Sequence, residues 1–385
     1  MNKVHFPGLN GLRFIAALSV IIGHVELIKS EYGIFNFKKT IPFFNNTSGH
    51  LGVILFFVLS GFLITYLLLV EKGKYGKVSV KKFYTRRILR IWPLYFLILL
   101  IVFLLFPLIS KDPGSYAFFN SNNIIPSLIL YVFFLPNLAY QLGIWAPMGA
   151  HLWSIGVEEQ FYLIWPFMVN YVRKKILLIL ILIFTGVSLL PHFIDFITNH
   201  FIFSSRVVFF LKQFSLFFII AKFNSMAMGG IMAWLFYSKK VSVLKRIYNR
   251  VVEVIVFVLT FSLWVFGFMP AYFGDELYTI LFGVIILNIA TNPRPFICLE
   301  NRFFDYLGKI SYGLYMYHWL SIVLLVYLFR NVLPVIELPG NTLWYNIMMY
   351  PTAIALTIGL SALSFELYEK WFLNLKKRFT KISSG

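Results

Sequence analysis

Ionisable side chains inside long apolar runs are the residues of this chain that could do chemistry. Each costs on the order of 2.5–3.5 kcal/mol to place in a bilayer, so each marks a functional site by default. Arg13 and His24 share the first apolar run, eleven residues apart. On a helix that spacing returns His24 to within about 20° of the Arg13 face, three turns further along. An imidazole held there can exchange a proton near neutral pH, whereas an arginine near the membrane entrance can equally snorkel to the interface. A second stretch, His151-Leu-Trp153-Ser-Ile-Gly-Val-Glu158-Glu159-Gln-Phe-Tyr162, puts two carboxylates into one apolar segment. On a regular helix His151 and Glu158 share a face, and Glu159 points about 100° away. An arginine on another span readily explains one such carboxylate, and two less readily. A carboxylate set against His24 would raise its basicity and make it a general base for a hydroxyl nucleophile.

The third group is Lys81-Lys82-Phe-Tyr-Thr-Arg86-Arg87-Ile-Leu-Arg90-Ile-Trp-Pro93. Arg86 and Arg90 are i,i+4 and Arg87 and Arg90 are i,i+3, so the guanidinium groups cluster on one flank. Such a fork suits phosphate; a basic run at the mouth of a span is also what topology and anionic lipids require. Further on, Tyr312, Tyr315 and Tyr317 surround His318 in sequence and could satisfy it structurally. Lys222 is a charge within another apolar run, followed by small residues suited to close helix contact. The remaining histidines, His5, His50, His192 and His200, fall near the ends of apolar runs and carry no functional weight. No P-loop, strand-borne GxGxxG, GxSxG elbow or HExxH motif is present. Dispersed histidines and a single cysteine, Cys298, supply no metal-ligand set and no intramolecular disulfide.

The elements that must carry these residues follow from composition. Hydrophobic residues make up 59% of the chain and charged residues 13%, and mean hydropathy is +0.80. A soluble domain carries about 25% charged residues, so soluble enzymes, disordered proteins and nucleic-acid modules are excluded. The net charge of +19 then reports membrane topology before any nucleic-acid partner. Apolar windows long enough to span cover residues 51–70, 91–110, 254–274, 277–293 and 338–365. Four more, at 11–28, 151–172, 214–238 and 310–329, enclose polar or ionisable residues, and 176–191 is short but uncharged. Residues 124–138, with Pro126 and Pro136, are too few to cross and read as a re-entrant segment or half-span lining the site. With a cytoplasmic amino terminus, ten crossings leave twenty-five of the 34 lysines and arginines inside. Letting 124–138 cross would carry Arg173–Lys175 and the basic residues of 239–250 outside, against the positive-inside rule. The expectation is therefore an all-α polytopic membrane protein. It has about ten transmembrane helices plus the half-span, both termini cytoplasmic, one membrane-embedded domain over 1–385 and a basic tail over 372–385. No cleavable signal peptide is apparent.

Together these residues resemble the acyltransferase-3 family of integral-membrane O-acyltransferases. The resembling pieces are Gly11-Leu-Arg13 with His24, Leu55-Phe-Phe-Val-Leu-Ser60-Gly61-Phe-Leu-Ile-Thr65, and Phe83-Tyr-x-Arg86-Arg87-x-x-Arg90-Ile-x-Pro93. To these add His151-Leu-Trp153-Ser154-x-x-x-Glu158-Glu159-Gln160-Phe161-Tyr162 and Ser311-Tyr312-Gly-Leu-Tyr315-x-Tyr317-His318. Each is weak alone; five in order along nearly the whole chain are specific. The resemblance implies transfer of an acyl group, most often acetyl, from cytoplasmic acyl-CoA to a hydroxyl of a cell-envelope or exported carbohydrate or glycolipid. The enzyme would be a multi-pass protein of the cytoplasmic (inner) membrane that binds no cofactor and no metal. It implies His24 and Glu158 as catalytic, and Arg13, Arg86, Arg87 and Arg90 as acyl-CoA-binding or architectural. Glu159, His151, Trp153, Tyr312, Tyr315, His318 and Lys222 would line the site. The family often has arginine where this chain has Lys222, which keeps a charge but loses the bidentate fork. Some members add an extracytoplasmic hydrolase-like domain, for which this length leaves no room. Two other readings use the same residues: a transporter or flippase with buried His and Glu as a proton relay, and a structural subunit of an export complex.

Overall fold

An apolar span must satisfy every backbone N–H and C=O within its own segment, and a helix does so. The computed structural model describes residues 2–38, 40–44, 47–109, 121–172, 175–201, 203–331, 342–379 and 382–384, and they are helical almost throughout. Among the described residues, seven helices are long and apolar enough to cross a membrane, or up to nine if two bent pairs each count as one span. These coincide with nine of the ten expected segments. The tenth forms a helix of nineteen residues, Trp153–Tyr171, which Glu158, Glu159 and Gln160 make too polar to be counted on hydropathy. The chain divides into two compact units, Met1–Leu59 with Lys239–Arg378 and Ser383–Gly385, and Ser60–Ser238 with Phe379–Ile382.

In the first unit, α1 (Leu9–Glu31) starts after Gly8, whose φ of 70° sets the left-handed turn into the helix. The first half of α2 (Thr47–Tyr75) crosses α1 where Gly23 meets Gly49. A Cβ at Gly23 would lie 2.6 Å from the Gly49 nitrogen, so only glycine allows the backbone approach that sets the next residue, His24. Phe14 and Ala17 of α1 pack with Leu307, Ile310 and Leu314. These lie on and beside α14 (Arg302–Lys309) and α15 (Ser311–Asn331). Around them stand α11 (Val241–Ile247), α12 (Arg250–Val265), α13 (Gly274–Thr291), α16 (Thr342–Ser364) and α17 (Lys370–Lys377). Two short strands, β1 (Asn2–Val4) and β2 (Ile382–Ser384), pair as a ribbon.

The second unit holds the rest of α2, then α3 (Val80–Leu100), which passes through one π turn into α4 (Phe106–Ile109). The expected half-span is two short helices, α5 (Ile124–Val132) and α6 (Pro136–Gln141). Nine helical residues reach about 14 Å, less than half of a hydrocarbon core of about 30 Å. The chain turns between them at Phe134, whose φ of 59° is rare for a bulky residue. Its ring stacks on Tyr95 at 4.5 Å, and its carbonyl accepts from Gln160 Nε2 at 3.0 Å, which holds the turn. A 3₁₀ turn, Pro147–Leu152, leads into α7 (Trp153–Tyr171), followed by α8 (Ile176–His200), α9 (Ser205–Ala221) and α10 (Phe223–Tyr237). The last two meet at a 43° bend around Lys222, another residue with positive φ.

Candidate functional site

The ionisable residues gather into two clusters, one in each unit. In the first, α1 carries Arg13 and His24. Arg13 Nη1 donates to Asn10 Oδ1 at 3.2 Å, and Asn10 Nδ2 donates to Asp305 Oδ1 at 3.2 Å, which ties the start of α1 to α14. His24 Nδ1 lies 2.8 Å from His318 Nε2. The two rings are inclined by only 16° with centroids 4.9 Å apart, the dimensions of an edge-to-edge hydrogen-bonded pair. The indole of Trp319 closes on His24 at 4.9 Å. His318 is fully buried, its Nδ1 set against the carbonyl oxygen of Tyr315, while His24 is only half-buried. Of the neighbouring tyrosines, Tyr315 packs against both His318 and Phe56, Tyr312 is half-buried, and Tyr317 turns away to Ser364.

In the second unit, successive residues of α7 fan out at about 100° per residue. Glu158 accepts from Ser60 Oγ and from Tyr162 Oη, each at 2.8 Å, and Arg87 and Arg90 act on its charge. Arg87 also lies over the rings of Tyr162 and Phe83, at 5.2 and 5.7 Å. Glu159 Oε2 accepts from Trp92 Nε1 at 3.1 Å, and its buried Oε1 has no hydrogen bond among the described residues. Gln160 reaches the half-span, donating to Asn137 Oδ1 at 2.7 Å. His151 is buried, but it lies in the 3₁₀ turn ahead of α7, so the seven-residue spacing to Glu158 does not run along one regular helix. Trp153 is the half-buried first residue of α7. Lys222 is buried at the α9–α10 break.

The basic run divides in a way its spacing did not show. Arg86 Nη2 pairs with Glu71 Oε2 at 3.3 Å, and Glu71 Oε1 accepts from the Ser79 backbone at 3.0 Å. Arg86 is thus engaged by a carboxylate, while Arg87 and Arg90 attend Glu158. Lys72, read as a topology charge, is buried. Its ammonium donates to the Val169 carbonyl at 2.9 Å and to that of Asn170, capping the end of α7. Lys29, also read as a topology charge, is buried with Glu26, which in turn accepts from Tyr350. Glu71, Glu26 and Ser60 are the residues that sequence reasoning left without a role. An acid set beside a basic run, as in Glu71-Lys72, was the available signal. Among the described residues no three or more His, Cys, Asp or Glu side chains gather as a metal site would require.

Residues 6–366 match the family described as "Acyltransferase domain". The peptidoglycan O-acetyltransferase OatA of Listeria monocytogenes is 27% identical, over 98% of this chain and 58% of its own. The O-acetyltransferase OatA of Staphylococcus aureus is 28% identical, over 83% of this chain and 51% of its own. The chain thus spans little more than half the length of the relatives it matches. No solved structure matches it.

Proposed function

Because the chain belongs to the acyltransferase family that its residues 6–366 match, we propose that it is a membrane O-acetyltransferase. It moves acetyl from cytoplasmic acetyl-CoA to a hydroxyl of a cell-envelope carbohydrate. The Listeria relative's name makes a peptidoglycan glycan the first acceptor to test. One observation carries this reading: His24, on a membrane-spanning helix, is half-buried and hydrogen-bonded to a second imidazole at 2.8 Å.

In the proposed step the acceptor hydroxyl gives its proton to His24, and its oxygen attacks the thioester carbonyl carbon. The C–S bond then breaks, the ester forms, and the CoA sulfur leaves as a thiol with the proton that His24 returns. Glu158 neutralises part of the charge of Arg87 and Arg90. Two guanidinium groups against one carboxylate leave a net positive charge for CoA phosphates. Arg86, paired with Glu71, supports the helix that carries them. Both termini lie in the cytoplasm, and the membrane is the bacterial cytoplasmic membrane.

The test is CoA release from acetyl-CoA in inverted membrane vesicles, wild type against His24→Ala, with peptidoglycan precursor supplied. The expected result is release by wild type only, with equal amounts of both proteins in the membrane. Equal release by both removes His24 from the chemistry. If wild type releases no CoA with acetyl-CoA or longer acyl-CoAs, the protein is not an acyl-CoA-consuming enzyme, and substrate flux becomes the measurement to make.

A further inference from the structure

The hydrogen bonds of the histidine pair determine where its protons sit. A backbone carbonyl oxygen only accepts, so the Nδ1 of His318 that faces the Tyr315 carbonyl must carry a hydrogen. His318 is fully buried, and an imidazolium there would forfeit its hydration, so the ring is neutral. A neutral imidazole with hydrogen on Nδ1 has a lone pair on Nε2. That Nε2 is the atom 2.8 Å from His24 Nδ1, so His24 Nδ1 is the donor. The unprotonated nitrogen of His24 is then Nε2, to which no hydrogen bond is made among the described residues, and His24 is the half-buried member of the pair.

We propose that His318 is a positioning residue: it fixes His24 in the Nδ1–H tautomer and so presents Nε2 as the base. This rests on the reading of His24 as the proton acceptor and adds what makes it one. The polarity runs one way, from the His24 Nδ1–H into His318 Nε2 and from the His318 Nδ1–H into the Tyr315 carbonyl. When Nε2 takes the hydroxyl proton, His24 becomes an imidazolium, and its Nδ1–H bond to His318 becomes a charge-assisted one. A carboxylate does this in a serine-protease triad; here a neutral imidazole anchored to a carbonyl does it. Trp319, tilted 58° to the His24 ring at 4.9 Å, packs beside the pair and limits rotation of the His24 ring.

Two measurements on full-length protein in lipid nanodiscs test the proposal. The first is the ¹⁵N spectrum of histidine-labelled protein without substrate, with the His24 signals identified by their loss in His24→Ala. Protonated Nδ1 and bare Nε2 are expected in wild type. A His24 ring with hydrogen on Nε2 overturns the proposal, whatever the activity. The second compares turnover of His318→Phe, which has no acceptor, with His318→Gln, whose amide oxygen can accept near the Nε2 position. His318→Phe should lower kcat on the order of 10²-fold, the lower range for loss of general-base catalysis, with KM for acetyl-CoA unchanged. His318→Gln should recover much of the loss. Wild-type kcat in His318→Phe overturns the proposal, as does a KM effect without a kcat effect. Should His318→Phe not fold, the wild-type spectrum and His318→Gln still decide. Turnover retained in His24→Ala is a separate result, and it ends the reading of His24 as the base.

Discussion

Glu158, Glu159 and Gln160 are chemically alike and adjacent, yet each answers to a different partner. Glu158 sits between two hydroxyl donors, Ser60 and Tyr162, and two arginines; Glu159 meets an indole; Gln160 holds the half-span. Removing the Glu158 carboxylate deprives Ser60 and Tyr162 of a shared acceptor and Arg87 and Arg90 of an opposing charge; a hydrogen bond to a charged group contributes about 1.5–3 kcal/mol. Glu158→Ala is therefore expected to lower both thermal stability in detergent and acetyl transfer. Tyr162→Phe removes one hydrogen bond to a charged group, about 1.5–3 kcal/mol, and should show a smaller loss of both. Differential scanning fluorimetry beside CoA release checks the order; an unchanged Glu158→Ala protein would detach this residue from the site. That the two glutamates face apart was legible from helical period alone. Their partners were not, because Ser60 and Trp92 lie 98 and 67 residues away in sequence. The same holds for His318, which reads as a packing histidine among tyrosines until its distance to His24 is known.

At the scale of elements, the helices of membrane-spanning length were legible as apolar runs, and residues 124–138 as a run too short to form one such helix. What the sequence could not divide was the basic stretch from Lys72, in the last turn of α2, to Arg90 in α3. Charge counting treats Lys72, Arg86, Arg87 and Arg90 alike, but packing gives them three tasks. Lys72 caps the α7 carbonyls, Arg86 closes on Glu71, and Arg87 and Arg90 attend Glu158. This division predicts different phenotypes for neighbouring substitutions. Arg87→Ala should raise KM for acetyl-CoA by about tenfold or more, the equivalent of one charge-assisted hydrogen bond. Arg86→Ala and Lys72→Met should chiefly lower thermal stability, by about 1–3 kcal/mol each, because each leaves buried acceptors unpaired. Steady-state kinetics against acetyl-CoA beside melting curves separates the two classes. If Arg86→Ala raised KM as much as Arg87→Ala with stability intact, Arg86 would belong with the donor-binding pair. Close helix approach is a further element-level constraint. A Cβ at Gly61 would lie 2.0 Å from the Met226 carbonyl oxygen, a backbone group that cannot rotate away.

At the scale of the whole molecule, contacts between helix ends sort the first unit into two sides. On one side lie His5 with Glu300, Asn10 with Asp305, Tyr248 with Thr291, and the β1–β2 ribbon. On the other lie His50 with Asp275 and Glu26 with Tyr350. In the second unit, the ends of α2 and α7 share one side through Lys72, and the start of α3 joins them where the Val78 N–H donates to Asn170 Oδ1 at 3.0 Å. The β1–β2 ribbon pairs residues 2–4 with residues 382–384. Arg294, Arg302 and Lys309 flank the same end as Glu300 and Asp305, so the positive-inside rule predicts that this end of the first unit faces the cytoplasm. The single cysteine tests that orientation without engineering, because Cys298 is exposed and lies in this basic segment. A membrane-impermeant maleimide should label Cys298 in inverted vesicles and leave it unlabelled in intact protoplasts. Cys298→Ser combined with Ser30→Cys, at the far end of α1, should give the opposite pattern. Labelling of Cys298 from outside would invert the molecule. The proposed cytoplasmic amino terminus would then be wrong, because β1 leads into the end of α1 that Asn10 ties to Asp305, on the same side as Cys298.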